Sequence, residues 1–181
     1  MLTNAVKDRG SPFRIPVFIC GDQSDFDGRI IVLRKSDETK NLVQYHSDIR
    51  SDKIRKLKVN KNAAMLFYDK NEKIQVRLKV ECTVNHDNEI TKKSWLKTGH
   101  MSRKCYLVDN GPGAESDNPT SGLKPKLDNF EYTMEQSEEG YKNFTVIQCK
   151  IKSIEWLYLA AKGHRRAKFD LENNKDSWLV P

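Results

Sequence analysis

The sequence lacks long apolar runs. Its longest uninterrupted ones, Ala63 to Tyr68 and Trp156 to Ala161, fall far short of the ~20 residues a membrane-spanning helix requires. The opening residues, Met1 to Gly10, hold no apolar block, so no secretory signal is visible. Cysteine is sparse: Cys20, Cys82, Cys105 and Cys149 lie far apart and make no C-x-x-C pair. Zinc clusters and dithiol redox motifs are therefore unsupported. Cys82 and Cys149 alternate with apolar residues and read as buried free thiols, as expected in a reducing cytoplasm. The histidines, His46, His86, His100 and His164, lack metal-ligand spacing, and His86 and His100 read as surface residues. No Ser-His-Asp set or catalytic carboxylate pair offers itself. Neither an internal repeat nor a domain boundary is evident, so residues 1–181 read as one domain.

Positive charge is what the chain has in excess. It carries 32 Lys and Arg against 25 Asp and Glu, a net +7. Such a balance attracts anions, whether nucleic acid, an acidic membrane or a phosphorylated small molecule. Nucleic acid has only the charge in its favour, because no RNA motif is present and the aromatics do not follow a base-stacking pattern. The expectation is a small-molecule ligand, with no nucleic acid and no membrane.

Period-two alternation dominates the pattern. Apolar runs occur at Ile15 to Cys20, Arg29 to Arg34, Leu42 to His46 and Ala63 to Tyr68. The clearest spans Lys73 to Val84, with Ile74, Val76, Leu78, Val80, Cys82 and Val84 on one face and Gln75, Arg77, Lys79, Glu81 and Thr83 on the other. Later runs cover Asn143 to Trp156 and His164 to Asp170. Seven or so strands with short polar links predict a mainly β fold, a closed or nearly closed antiparallel barrel. Helices are expected at Ser51 to Val59, with Ser51 as N-cap and Ile54 and Leu57 inward, and at Glu89 to Lys97 around Trp95. Asp109 to Pro125, dense in Gly, Pro, Asn and Ser, reads as one long loop.

Four places suggest chemistry. In H-S-D-I-R-S-D-K, His46 to Lys53, a strand ends and a helix begins. Free N–H groups and the macrodipole favour an anion there, and Arg50, Lys53, Ser47 and Ser51 add charge and donors. The alternative is a solvated basic turn. Arg29 and Arg34 flank one run and should point to opposite faces of a regular strand; ordinary strand-end arginines are the alternative. Gln75 and Arg77 lie on the non-core face of a central strand, which is weak evidence alone. From His164 onward, an extended chain puts His164, Arg166 and Lys168 on one face. These groups repel unless an anion or acidic partner lies between them, a surface basic patch being the competing explanation.

At these residues the sequence resembles the pyridoxamine 5'-phosphate oxidase-related proteins, the FMN-binding split-barrel family. The resemblance runs through D-R-G-S-P-F-R-I-P-V, D-G-R-I-I-V-L-R, Y-H-S-D-I-R-S-D-K-I and F-Y-D-K-N-E-K-I-Q-V-R. It continues in P-T-S-G, W-L-Y-L-A-A-K-G-H-R-R-A-K-F and the closing W-L-V-P. It implies a six-stranded split β-barrel with flanking helices, in a homodimer with two FMN sites at the subunit interface. By position it implies that Arg29 binds the flavin phosphate or ribityl region, and that the backbone of Ile30, Ile31, Val32 and Leu33 runs along the ring. His46 and Ser47 would lie near the flavin, while Arg50, Ser51 and Lys53 hold the phosphate. Gln75 would reach the ring, and Trp156 would approach the cofactor, from the second subunit in one reading.

The departures from the family concern the substrate. Arg34 stands where the pyridoxal-phosphate-forming oxidases have a strand-end lysine. Arg103 matches their arginine, but its tyrosine and serine partners become Gly99 and Leu107. Their Arg-x-His pair is reversed here as His164 and Arg166, and their final flavin-binding arginine is Lys168, which keeps the charge but loses the bidentate fork. The resemblance therefore implies a cytoplasmic FMN-dependent oxidoreductase with Arg103, His164 and Arg166 facing an anionic substrate. A true pyridoxamine phosphate oxidase and a non-catalytic flavin or haem binder are the alternatives.

Overall fold

The computed structural model describes residues 1–129 and 131–181. In chain order the main elements are α1 (Leu2–Lys7), β1 (Val17–Gly21), β2 (Phe26–Ile30), β3 (Leu33–Asp37), β4 (Leu42–Asp48), α2 (Asp52–Val59), β5 (Asn62–Asp69), β6 (Ile74–His86), α3 (Glu89–Leu96), α4 (His100–Arg103), α5 (Pro125–Asp128), β7 (Phe144–Tyr158), β8 (Arg165–Asp170) and β9 (Lys175–Leu179). The fold is mainly β, as the alternation requires. The strands join in the order β2-β1-β5-β6-β7-β4-β3, with β8 between β7 and β9. A strand has only two edges, so β7 takes its three partners, β6, β4 and β8, by length; β8 uses Ser153 to Tyr158.

The chain forms two compact units. The first comprises Met1–Tyr45, Lys56–Thr83 and Ile147–Pro181, and the second His46–Arg55 and Val84–Val146. In the first unit β5 and β6 pair antiparallel without interruption from Asn62 opposite Glu81 to Asp69 opposite Ile74. Val76, Leu78, Val80 and Cys82 are buried, as the period-two pattern demands. Cys20, Cys82 and Cys149 are buried free thiols. The alternation expected to carry Val84 inward stops where β6 enters the second unit: Val84 is half-buried, and Asn85 is buried instead, its Nδ2 donating to the Val146 carbonyl at 3.3 Å.

The run from Arg29 to Arg34 is not one strand. β2 ends at Ile30 paired with Val17 of β1, and β3 begins at Leu33 opposite Tyr45 of β4. Between them the Ile31 N–H donates to the Pro16 carbonyl at 3.0 Å. Inside–outside alternation survives while the pairing partner changes, so a six-residue run with four branched residues at its centre mimics a single strand. Gly21 ends β1 because a Cβ there would lie 2.5 Å from the Phe26 ring and 2.7 Å from the Asp25 carbonyl.

The second unit packs around Trp95, Phe144 and Val146, with Ile90, Tyr106 and Tyr141 against them. α3 starts in a reciprocal cap: Asn88 Oδ1 accepts from the Ile90 and Thr91 N–H groups, and Thr91 Oγ1 accepts from the Asn88 N–H at 2.8 Å. Trp95 is buried as expected, but Leu96 is exposed. The stretch between Asp109 and Pro125 is irregular, as its composition predicts. Among the described residues no helix is long and apolar enough to cross a membrane.

Candidate functional site

The anion-favouring turn lies in the second unit, where β4 ends and α2 begins. Ser47, Asp48 and Ser51 are buried, and Lys53 is only 9% exposed. Lys53 Nζ donates to Ser47 Oγ at 2.8 Å and to Ser51 Oγ at 3.1 Å, and the two hydroxyls are 3.2 Å apart. Ser51 Oγ is also 2.8 Å from the Asp48 carbonyl, to which it donates. One ammonium and two hydroxyls thus converge beside the first turn of α2, a donor set suited to a phosphate. His46 packs edge-on against Phe144, ring centroids 4.8 Å apart.

Arg50 has a different task from the expected one. Its Nε and Nη2 donate to the two carboxylate oxygens of Asp48 at 3.0 and 2.7 Å, and its Nη1 donates to the carbonyls of Val108 and Asp109. The Asp48 hydrogen bonds raise the Arg50 pKa above the ordinary arginine value. The side chain ties the turn to the long loop, with little left for a phosphate. Arg103 is likewise committed. It is 2% exposed, lies over the Trp95 ring, and donates to the carbonyls of Thr98 and Trp95, to Ser137 and to Glu138. Burial would raise the Glu138 pKa, but bonds from Trp95 and Arg103 hold it below its ordinary value. Arg103, expected to meet a substrate, is here held by the chain's own groups. His100, expected at the surface, is half-buried and stacked on Tyr132 at 4.0 Å; His86 is exposed as expected.

The remaining expected residues lie in the first unit. Arg29 sits on β2 opposite Phe18 and pairs with Asp27, but its Nε is buried without a hydrogen-bond partner among the described residues. The Tyr45 hydroxyl is in the same position: the residue is fully buried and the oxygen has no hydrogen-bond partner among the described residues. Burial pushes the Tyr45 phenol pKa well up, Cys149, Cys82 and Cys20 add to the rise, and Arg29 opposes it. Such orphan groups are rare in proteins and call for an occupant or a role. Ile30 and Val32 are exposed while Ile31 and Leu33 are buried, and Arg34 lies exposed on β3.

Gln75, Arg77, Glu155, Arg166 and Lys168 share one face of the sheet. The register puts Lys168 directly opposite Glu155 and Arg166 opposite Leu157, and alternation along β6 places Gln75 beside Arg77. Trp156 is on the other face, stacked with Tyr158 at 6.2 Å between ring centroids. The first unit therefore does not bring Trp156 and Gln75 together. Arg166 donates to Glu155 Oε2 from Nη2 at 2.5 Å and from Nε at 3.1 Å, and Arg77 joins the same oxygen. The acidic partner that the His164–Arg166–Lys168 stretch needs is thus supplied by the chain itself. Burial alone would raise the Glu155 pKa, but its bonds from Arg166 and Arg77 prevail and lower it. His164 is exposed ahead of β8. Sequence reasoning missed Glu155 and Asp48; a carboxylate beside each arginine motif was the only available signal.

Residues 20–86 match the family model described as pyridoxamine 5'-phosphate oxidase, FMN-binding domain. The match makes this segment, 67 of the 181 residues, similar to that family. No curated protein matches the chain. The solved structures show the same fold. A pyridoxamine 5'-phosphate oxidase-related, FMN binding protein from Nostoc punctiforme PCC 73102 superposes with a TM-score of 0.77 at 16% identity, covering 99% of this chain and 94% of that one. PhzG from Burkholderia lata 383, solved with tetrahydrophenazine-1-carboxylic acid, gives a TM-score of 0.74 at 16% identity over 99% of this chain and 88% of that one. General Stress Protein 26 from Bacillus anthracis str. Sterne gives 0.53 at 12% identity over 98% and 95%. The fold is therefore the split barrel of the pyridoxamine 5'-phosphate oxidase-related proteins. The segment matched to the FMN-binding family holds Arg29, Ser47, Ser51, Lys53 and Gln75, whereas Arg103, Trp156, His164, Arg166 and Lys168 lie beyond it.

Proposed function

We propose that this chain binds FMN and acts as an FMN-dependent oxidoreductase on a small molecule. The observation that carries the reading is the buried convergence of Lys53, Ser47 and Ser51 inside the matched segment. The arrangement fits a phosphate: the ammonium, oriented by the two hydroxyl oxygens that accept from it, supplies charge and donors, and the α2 N-terminus adds its partial positive charge. The orphaned Arg29 Nε also fits a ligand anion or a bound water in the first unit. FMN, when bound, supplies hydride or electron transfer. The chain's own part is to fix the phosphate end and keep it away from bulk water.

Arg29, Gln75, Lys168, Trp156 and the backbone of Ile30 to Leu33 remain the proposed contacts to the rest of the flavin. We also propose a homodimer in the cytoplasm, supported by free buried thiols and by the exposed apolar residues Phe26 and Ile30 on β2. Oxidation of pyridoxamine phosphate is the poorer reading, because Arg103 is buried in the second unit and Arg166 is bound to Glu155.

The test is the visible spectrum of the purified protein before and after adding FMN, with Lys53→Ala and Arg29→Ala beside it. Flavin uptake by the wild type and its loss in both variants is the expected result. A wild-type protein that takes up no FMN would sink the reading.

A further inference from the structure

Glu155 is 16% exposed in its side chain, and one of its oxygens, Oε2, accepts from two arginines on the flanking strands, Arg77 of β6 and Arg166 of β8. Another cation of that face, Lys168, stands directly opposite Glu155 in the register, with its Nζ 3.9 Å from Asp170. Two guanidinium groups closing on a single carboxylate oxygen reproduce the geometry with which arginines hold a phosphate or carboxylate ligand. Here the anion is part of the chain.

We propose that Glu155 determines the substrate class of this face: it fills the anion position between Arg77 and Arg166, so that the substrate carries no phosphate there. The proposal rests on the flavin reading, since Gln75 and Lys168, both proposed flavin contacts, lie on the same face. A dianionic group approaching Arg166 would meet the Glu155 charge and would have to displace it from two charge-assisted bonds. A neutral or cationic substrate meets no such barrier. The same three residues explain how a stretch dense in arginine and lysine stays folded without a bound anion.

The test is calorimetric titration with inorganic phosphate at low ionic strength. It compares wild type, Glu155→Gln, and Glu155→Gln combined with Arg166→Met, each saturated with FMN if it takes the flavin up. Glutamine keeps the shape of Glu155 and removes its charge. Glu155→Gln is expected to bind phosphate about tenfold more tightly than wild type, and Arg166→Met is expected to abolish that gain. No gain in Glu155→Gln, or a gain that survives the loss of Arg166, overturns the proposal. A lower melting temperature without any gain in phosphate affinity does so too, since it marks Glu155 as a strand brace alone.

Arg166→Gln by itself guards against a poorly folded Glu155→Gln. It should leave wild-type phosphate affinity unchanged; weakened binding would show that the arginines are already open to anions and would overturn the proposal. Flavin uptake is read separately by visible absorbance. The phosphate gain is read as a difference between variants that share the same second unit. A failure of the flavin reading and a failure of the Glu155 assignment therefore look different.

Discussion

Lys53 and Tyr45 carry the account at the scale of single residues. Lys53 donates to two hydroxyls at 2.8 and 3.1 Å in a buried turn, and a charge-assisted bond to a phosphate is worth about 1.5–3 kcal/mol. Lys53→Met should therefore weaken FMN binding by roughly ten- to a hundredfold, read by flavin fluorescence quenching. An unchanged affinity would remove Lys53 from the site. Tyr45 points the other way, because its buried hydroxyl has no partner among the described residues. Tyr45→Phe deletes an unsatisfied group and should leave stability unchanged or raise it by about 1 kcal/mol in urea unfolding. A clear loss would mean that the hydroxyl binds a buried water or ligand. The raised phenol pKa has its own signature. The neutral form favours the fold, a contribution fully present below the unfolded value near 10. It is lost as the pH climbs toward the folded value, so Tyr45→Phe should blunt alkaline unfolding.

Among the elements, α3 and the β7–β8 pair give the sharpest expectations. The reciprocal Asn88–Thr91 cap satisfies the first N–H groups of α3, so Asn88→Ala should cost about 1 kcal/mol of stability, measured by chemical denaturation. Glu155 joins three strands, and its lowered pKa fixes the sign of its pH dependence. Its contribution is present above the unfolded carboxyl value and is lost as pH falls through the lower folded one. Thermal melts should drop on acidification below about pH 4, and Glu155→Gln should flatten that drop.

The elements were also the most legible part of the sequence. β6 announced itself because one wet face and one dry face leave a period of two, and β5 by its unbroken apolar run from Ala63 to Tyr68. β9 did not: K-D-S-W-L has no apolar alternation, and Trp178 is 75% exposed, so this strand forms by pairing with β8 rather than by burial. The split of R-I-I-V-L-R was invisible for the opposite reason, since burial alternates without a break while the partner strand changes. In the candidate site, Ser47, Ser51 and Lys53 were readable because helix entry, hydroxyls and charge fall within one short segment. The pairing of Arg50, Arg103 and Arg166 was not legible because their carboxylate partners are chosen by folding: Asp48 by a tight turn, Glu138 from a distant segment and Glu155 across a strand pair.

For the molecule as a whole, the net charge of +7 now has a more specific meaning. Several of the cations that suggested an anion partner, Arg50, Arg77, Arg103 and Arg166 among them, are paired within the chain, and Lys53 lies buried against the Ser47 and Ser51 hydroxyls. The outer face of β1 and β2 carries Ile19, Phe26 and Ile30, with Phe26 79% exposed. If this face seals a homodimer, light scattering should give twice the 21.0 kDa chain mass, and Phe26→Asp should shift it toward the single chain. A wild-type monomer at all concentrations would refute the assembly.

The central claim is that the Ser47–Ser51–Lys53 turn holds the flavin through its phosphate, and one comparison tests it most directly: the affinities of FMN and riboflavin, which differ only by that phosphate, for the wild-type protein and for Lys53→Met. The account predicts that the wild type prefers FMN by at least about tenfold, that the preference shrinks with added salt, and that Lys53→Met loses it while still binding riboflavin as the wild type does. Equal affinity for the two flavins in the wild type, or a preference for FMN that persists without Lys53, would contradict it.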